Sequence, residues 1–270
     1  MDLSGLKRFW LLNFLRRLGQ ASRYYNKRYV QILLWSVKSK EDTNYTYHIS
    51  DKNIHYLAHM IAVVTDTNHQ LILNYINEAK EDTSLRDSII EATQSSPFRK
   101  YADLEVRLGK RLGWYAFVRV LKPRVVVETG VDKGLGSVVM CAALLKNREE
   151  GYEGQYYGTD INPKAGYLLT GKYQEVGKIL YGDSINSLSQ FPEKIDLFVN
   201  DSDHSAEYEY QEYLIVQKLL SDKAIILGDN SHVTDKLLKF SNENNRRFLF
   251  FREEPIDHWY PGGGIGISFK

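Results

Sequence analysis

The chain has 270 residues, 43% of them apolar and 26% charged, with a formal net charge of +1 and one cysteine. This balance excludes a disordered chain, and the single Cys141 excludes a disulfide framework or a cysteine zinc site. Near-neutral charge gives no global case for nucleic-acid binding, and no apolar run of about 20 residues exists to span a bilayer. The N-terminus lacks a small-residue cleavage site after its apolar stretch, so the expected location is cytoplasmic.

Charge is unevenly spread. Residues 1–40 carry nine basic side chains, Lys7 and Arg8 through Lys40, against one acid, Asp2. Leu3, Leu6, Phe9, Trp10, Leu11, Phe14, Leu15 and Leu18 interleave with them, the pattern of a basic amphipathic helix. Two roles stay open for residues 1–20. The helix lies in a membrane interface as a peripheral contact, or it packs on the core or on a second subunit, making a homo-oligomer.

Residues 41–95 read as helical: one helix opening at Asp51 with that acid as its cap, then Thr67–Ala79 and Ser84–Thr93. His55 and His59 are spaced i, i+4, but without a third ligand they read as ordinary histidines. Gln94-Ser-Ser-Pro97 marks a boundary, dividing an N-terminal helical region, 1–96, from a second domain, 97–270. A further helix is predicted over 103–121, with Trp114, Tyr115, Phe117 and Val118 on its apolar side.

Then Val125-Val-Val-Glu-Thr-Gly-Val-Asp-Lys-Gly-Leu-Gly-Ser137 gives a buried strand, an acid at its end, and a glycine loop running into an apolar helix, Val138–Leu145. In an open α/β sheet, ligands bind beyond the carboxyl ends of the strands, so this loop reads as a cofactor cradle. The dinucleotide pattern is Gly-x-Gly-x-x-Gly; this loop is Gly-x-x-x-Gly-x-Gly with Glu128 before it. A carboxylate repels a pyrophosphate and attracts a sulfonium, each by roughly 4 kcal/mol at about 4 Å and an effective dielectric near 20. The sign favours S-adenosylmethionine over NAD.

From there short strands alternate with helices, as in a mostly parallel sheet covered on both faces. The strands end at Glu128, Asp160, Asp183, Asp201 and Asp229, five carboxylates on one rim. A closing hairpin pairs 246–252 with 264–269 around Pro261-Gly-Gly-Gly264. The helix after Asp201 is predicted over Ala206–Leu220.

These residues resemble class I S-adenosylmethionine-dependent methyltransferases, metal-dependent O-methyltransferase type, including the catechol and macrolide-sugar enzymes and cephalosporin-hydroxylase-like proteins. The resemblance covers about two thirds of the chain. It implies a Rossmann-like α/β fold with a seven-stranded sheet, plus the N-terminal helical extension. It also implies that Glu128, Thr129 and the Gly130/Gly134/Gly136/Ser137 loop hold the methionine end of the cofactor. Asp160, with Ile161 beside it, would take the ribose hydroxyls, Asp183 and Ser184 would lie near the adenine, and Asp201 would border the cofactor. Asp201, Asp229 and Asn230 would supply hard oxygen ligands to Mg²⁺, which would lower the pKa of an acceptor hydroxyl.

His204 stands where the catechol enzymes carry a lysine and the sugar enzymes a histidine, and it would be the general base. That substitution leans toward a sugar, glycan or glycosylated small molecule as acceptor. His232 is a second candidate base, and His258 a candidate for the pocket wall or for packing. Two other readings remain: a hydroxylase-like enzyme using another metal, and a non-catalytic module that binds cofactor or partner.

Overall fold

The computed structural model describes residues 10–40, 46–203 and 205–270, with Asn230 described by its backbone alone. Helix α1 (Trp10–Lys38) comes first, followed by α2 (Asp51–Thr65), α3 (His69–Glu81) and α4 (Thr83–Ser95). Helix α5 (Arg111–Leu121) then leads into the sheet, in which β1 (Val125–Thr129), α6 (Leu135–Glu149), β2 (Gln155–Asp160) and β3 (Gly177–Tyr181) follow in turn. The rest of the chain is α7 (Ser184–Ser189), β4 (Ile195–Asn200), α8 (Ala206–Val216), β5 (Leu220–Gly228), α9 (Lys236–Glu243), β6 (Arg247–Arg252) and β7 (Gly264–Phe269).

The strands form one seven-stranded sheet in the order β3-β2-β1-β4-β5-β7-β6. All pairings are parallel except those of β7, which runs antiparallel to both β5 and β6. The β-branched run at 125–127 explains why β1 is central: strands buried on both faces read as continuous apolar segments. Val126 packs with α2 to α6 on one face, and Val125 and Val127 pack with α7 to α9 on the other. Burying each such side chain is worth about 1.5–3 kcal/mol.

Helices α2 to α4 share that first core. Leu57, Ile61, Ile72, Ile76 and Ile89 join one cluster with Trp114, Val139 and Leu197. Buried Arg119 ties the layers together, with Nε 2.7 Å from Glu78 Oε1 of α3 and Nη2 2.5 Å from Glu150 Oε1 just after α6. Tyr47 also crosses the chain, its hydroxyl donating to Glu253 at 2.7 Å.

Three boundary expectations need correction. The cap of α2 is Ser50, whose side chain accepts from the Asn53 amide at 3.2 Å, and Asp51 sits in the first turn. The helix expected over 103–121 exists only from Arg111. Gly109 has φ +50, outside helical space, and the Asp103 carboxylate accepts from Ser39 and from the Lys40 amide. Helix α8 stops at Val216, because the chain turns into β5 at Leu220 to pair with Ile195.

Helix α1 differs from the rest: none of its side chains is buried. Among the described residues no helix is long and apolar enough to cross a membrane. Residues 1–9 of the predicted amphipathic segment lie outside the described residues.

Candidate active site at the carboxyl rim of the sheet

Register places the rim. Thr129 pairs with Thr159 on one side and Asn200 on the other, and Asn200 pairs with Gly228. The next residues, Gly130, Asp160, Asp201 and Asp229, therefore lie side by side where the strands end. The order reverses between β1 and β4, since β2 continues to one side of β1 and β4 to the other. That switch point is where α/β sheets open a crevice. A cavity of about 920 Å³ opens there.

Of the residues singled out in the sequence, Glu128, Gly130, Gly136, Asp160, Ile161, Asp183, Ser184, Asp201 and Asp229 line this one cavity. All five strand-end carboxylates are among them. Thr129, Gly134 and Ser137 are not on its wall. Ser137 is fully buried behind Glu128, its hydroxyl 3.1 Å from Glu128 Oε2 and 2.7 Å from the Tyr156 hydroxyl. It positions the acid rather than meeting the cavity. His204 lies outside the described residues, as does the side chain of Asn230.

Glu128 is 1% exposed. Burial pushes its carboxyl up to about 7, against the opposing pull of Tyr156, Arg111 and Ser137. Gly136 makes room for it: a Cβ there would collide with Glu128 Oε1 and the Trp114 ring. Gly130 has φ +82, and a Cβ would strike the Asp201 carbonyl. Both glycines are therefore required by close approach.

Asp160 is committed to the loop itself. Its Oδ2 accepts from the Val131 and Asp132 amides at 3.1 and 2.9 Å, and its Oδ1 from the Asn162 amide at 2.8 Å. Each carboxylate oxygen retains capacity for another donor. Asp183 caps α7 through the Asn186 amide at 2.9 Å and accepts from the Tyr208 hydroxyl at 2.9 Å. Ser184, Asn200 and Ser202 converge behind it on buried Glu212.

The β4–β5 half holds a group the sequence reading missed. The Lys110 ammonium forms an ion pair with Asp229, with both side chains largely buried. Burial opposes the lysine's charge, but Asp229, Asp201 and Glu253 outweigh it and hold the ammonium above its usual range. Burial and the neighbouring Asp229 push Asp201 well up. Asp229 is pushed up by burial too, yet Lys110, a hydrogen bond with Asp201, and Arg111 bring it below the ordinary carboxylate range. The Lys110 amide donates to Glu253 Oε1 at 3.0 Å, and Glu253 in turn accepts from Tyr47. Lys110-Arg111 at the start of α5 runs against the helix dipole, and two cations there are a signal that acids must face them.

His232 also lines the cavity, with Nδ1 3.0 Å from the Asp229 carbonyl and Nε2 3.4 Å from the Tyr260 hydroxyl. His258 is not on the wall. Its Nδ1 accepts from the Tyr260 amide, its ring stacks on Trp259, and burial lowers its pKa. On the helical region, His69 joins His55 and His59, each ring centroid 5.7 Å from it. Among the described residues no three such groups converge as a metal site.

Beside Asp229 the Lys110 ammonium supplies a positive charge where the family resemblance would put a divalent ion. Seven carboxylates and two cations, Lys110 and Arg111, line the cavity among the described residues. Such a wall attracts a cationic ligand and repels a pyrophosphate.

Comparison with known proteins agrees with the fold. Residues 127–231, from β1 through β5, match a methyltransferase-domain family. Cofactor-bound Rv0187 from MTB superposes with a TM-score of 0.51 at 12% identity, over 70% of this chain and 90% of that one. A methyltransferase from Geobacter sulfurreducens gives 0.50 at 14% identity, over 68% and 90%. No curated protein matches the chain. The sheet and its rim thus have the fold of solved methyltransferases, with β1 to β5 matching a methyltransferase-domain family and α1 to α4 lying ahead of them.

Proposed function

We infer that the protein is an S-adenosylmethionine-dependent O-methyltransferase acting on a hydroxyl of a sugar, glycan or glycosylated small molecule. The carrying observation is one cavity lined by all five strand-end carboxylates, with Glu128 buried beneath Gly136. The bound cofactor supplies a methyl group on a sulfonium. Glu128 and the Gly130–Gly136 loop hold its methionine end, Asp160 its ribose, and Asp183 with Ser184 the adenine side.

The acceptor then lies toward Lys110, Asp201, Asp229 and His232. His204 would take the proton that the acceptor hydroxyl gives up as that oxygen accepts the methyl group the cofactor would supply. Holding both partners in line supplies much of the acceleration, for which effective molarities are worth roughly 7–11 kcal/mol. Magnesium, which the family resemblance implies, is assigned no step: Lys110 supplies the positive charge facing Asp229. A histidine base and a wall carrying seven carboxylates support the sugar hydroxyl as acceptor.

Calorimetric titration with S-adenosylmethionine and with NAD tests the reading directly. Binding of the first and not the second is expected, and the reverse result would overturn it. A methyl-transfer screen on saccharides, run with and without EDTA, should then show activity that survives the chelator. His204→Ala should lower kcat by about 10²-fold or more with cofactor affinity nearly unchanged; full turnover in that variant removes His204 from the reaction.

A further inference from the structure

Helix α1 is the largest element that the core does not use. Trp10, Phe14, Leu18, Tyr25, Tyr29 and Ile32 recur at intervals of three, four and seven residues, so they share one face of the helix. That face is open: Trp10 is 70% exposed and Tyr29 66%. Between Trp10 and Lys38 there are six cations and no acid. At 100° per residue most of them, including Arg16, Arg23 and Lys27, fall on the opposite side.

Near its end the helix meets the rest of the chain. Trp35 packs on Trp259 with centroids 5.5 Å apart, and Ser39 donates to Asp103 at 2.8 Å. Trp259 in turn packs edge-on against Tyr260, a wall residue of the cavity.

Three occupants suit an exposed apolar face: the core, a second copy, or a lipid surface. The core is not the occupant of this face, since no side chain of α1 is fully buried and Trp10, Phe14, Leu18, Tyr25 and Tyr29 stay exposed. A second copy of α1 packed through this face would leave the six cations without any counter-charge. An anionic bilayer complements that charge, and Trp and Tyr favour the headgroup boundary.

We propose that α1 is an interfacial helix that docks the protein on an anionic bilayer, with its apolar face in the headgroup boundary. Through Trp35 and Trp259 this places the mouth of the cavity close to the lipid surface. The docking itself does not depend on the methyl-transfer reading.

Co-sedimentation of the full chain with vesicles tests it, comparing pure phosphatidylcholine with vesicles containing about 30 mol% phosphatidylserine. Binding to the anionic vesicles should be tighter by about tenfold or more and should weaken as salt is raised. Phe14→Glu/Leu18→Glu should lose about tenfold or more of that binding with an unchanged melting curve, because both side chains are exposed. Arg16→Gln/Arg17→Gln/Lys27→Gln, which leaves the apolar face intact, should lose the preference for anionic lipid. Equal binding to both vesicles, or to neither, overturns the proposal. A dimer that Phe14→Glu/Leu18→Glu turns into monomer, without vesicle binding, assigns the face to a second copy instead.

Discussion

The two halves of the rim carry the same residue type and neutralise it differently. At β1 and β2, Glu128 and Asp160 are held by hydroxyls and backbone amides, so no cation is consumed and a positive ligand meets unspent charge. At β4 and β5, Asp229 is consumed by Lys110. A row of strand-end acids is therefore not one site but two, and what separates them is which neighbours satisfy each carboxylate.

The largest expected effect breaks the second half. Lys110→Met leaves Asp201, Asp229 and Glu253 buried without their cation, and removing one partner of a buried pair costs about 3–5 kcal/mol. The melting temperature should fall accordingly. Added Mg²⁺ should restore part of it in this variant and do little to the native protein. Equal stabilisation of both would show that a divalent ion displaces the lysine.

Next comes Glu128. Its folded-state pKa, about 7, lies above the ordinary 4.5, so the folded protein holds this proton more tightly than the unfolded chain does. Stability from that term is full below about 4.5 and lost as pH rises through about 7, a cost of about 3 kcal/mol at alkaline pH. Glu128→Gln should recover most of this at pH 8 in denaturant titrations and lower affinity for S-adenosylmethionine by about tenfold or more. The same ionisation predicts that cofactor affinity in the native protein weakens as pH is lowered through about 7, read by calorimetry.

Gly136→Ala is the smallest change with a definite outcome. The new methyl meets Glu128 and Trp114, and overpacking of this kind costs about 1–3 kcal/mol. Cofactor affinity should drop with it. An alanine variant with native melting and binding would show that the loop has slack and that Glu128 is not held where the cofactor needs it.

Much of the fold is legible because its signals are local. Val125 to Val127 form a strand because β-branched side chains suit a strand buried on both faces, and the strand-end acids follow at once in sequence. Hence the five-carboxylate rim is readable from the order of residues, and the cavity brings all five together. Ser137 illustrates the limit: it reads as the end of the glycine loop, but it lies in the first turn of α6, which points it inward at Glu128 and Tyr156. Lys110 is the clearer case. Its nearest acids in sequence, Asp103 and Glu105, are not its partners; Asp229 and Glu253 come from the ends of distant strands.

The alternation of strands and helices, the glycine cradle and the sign of the charge at the rim are all written in the order of residues. Each depends on backbone periodicity or on neighbours a few positions away. Packing in three dimensions was needed to set Lys110 among the β4–β5 acids and to leave α1 outside the core. Both outcomes turn on contacts between segments far apart in the chain, which set burial and charge pairing and which no short stretch encodes.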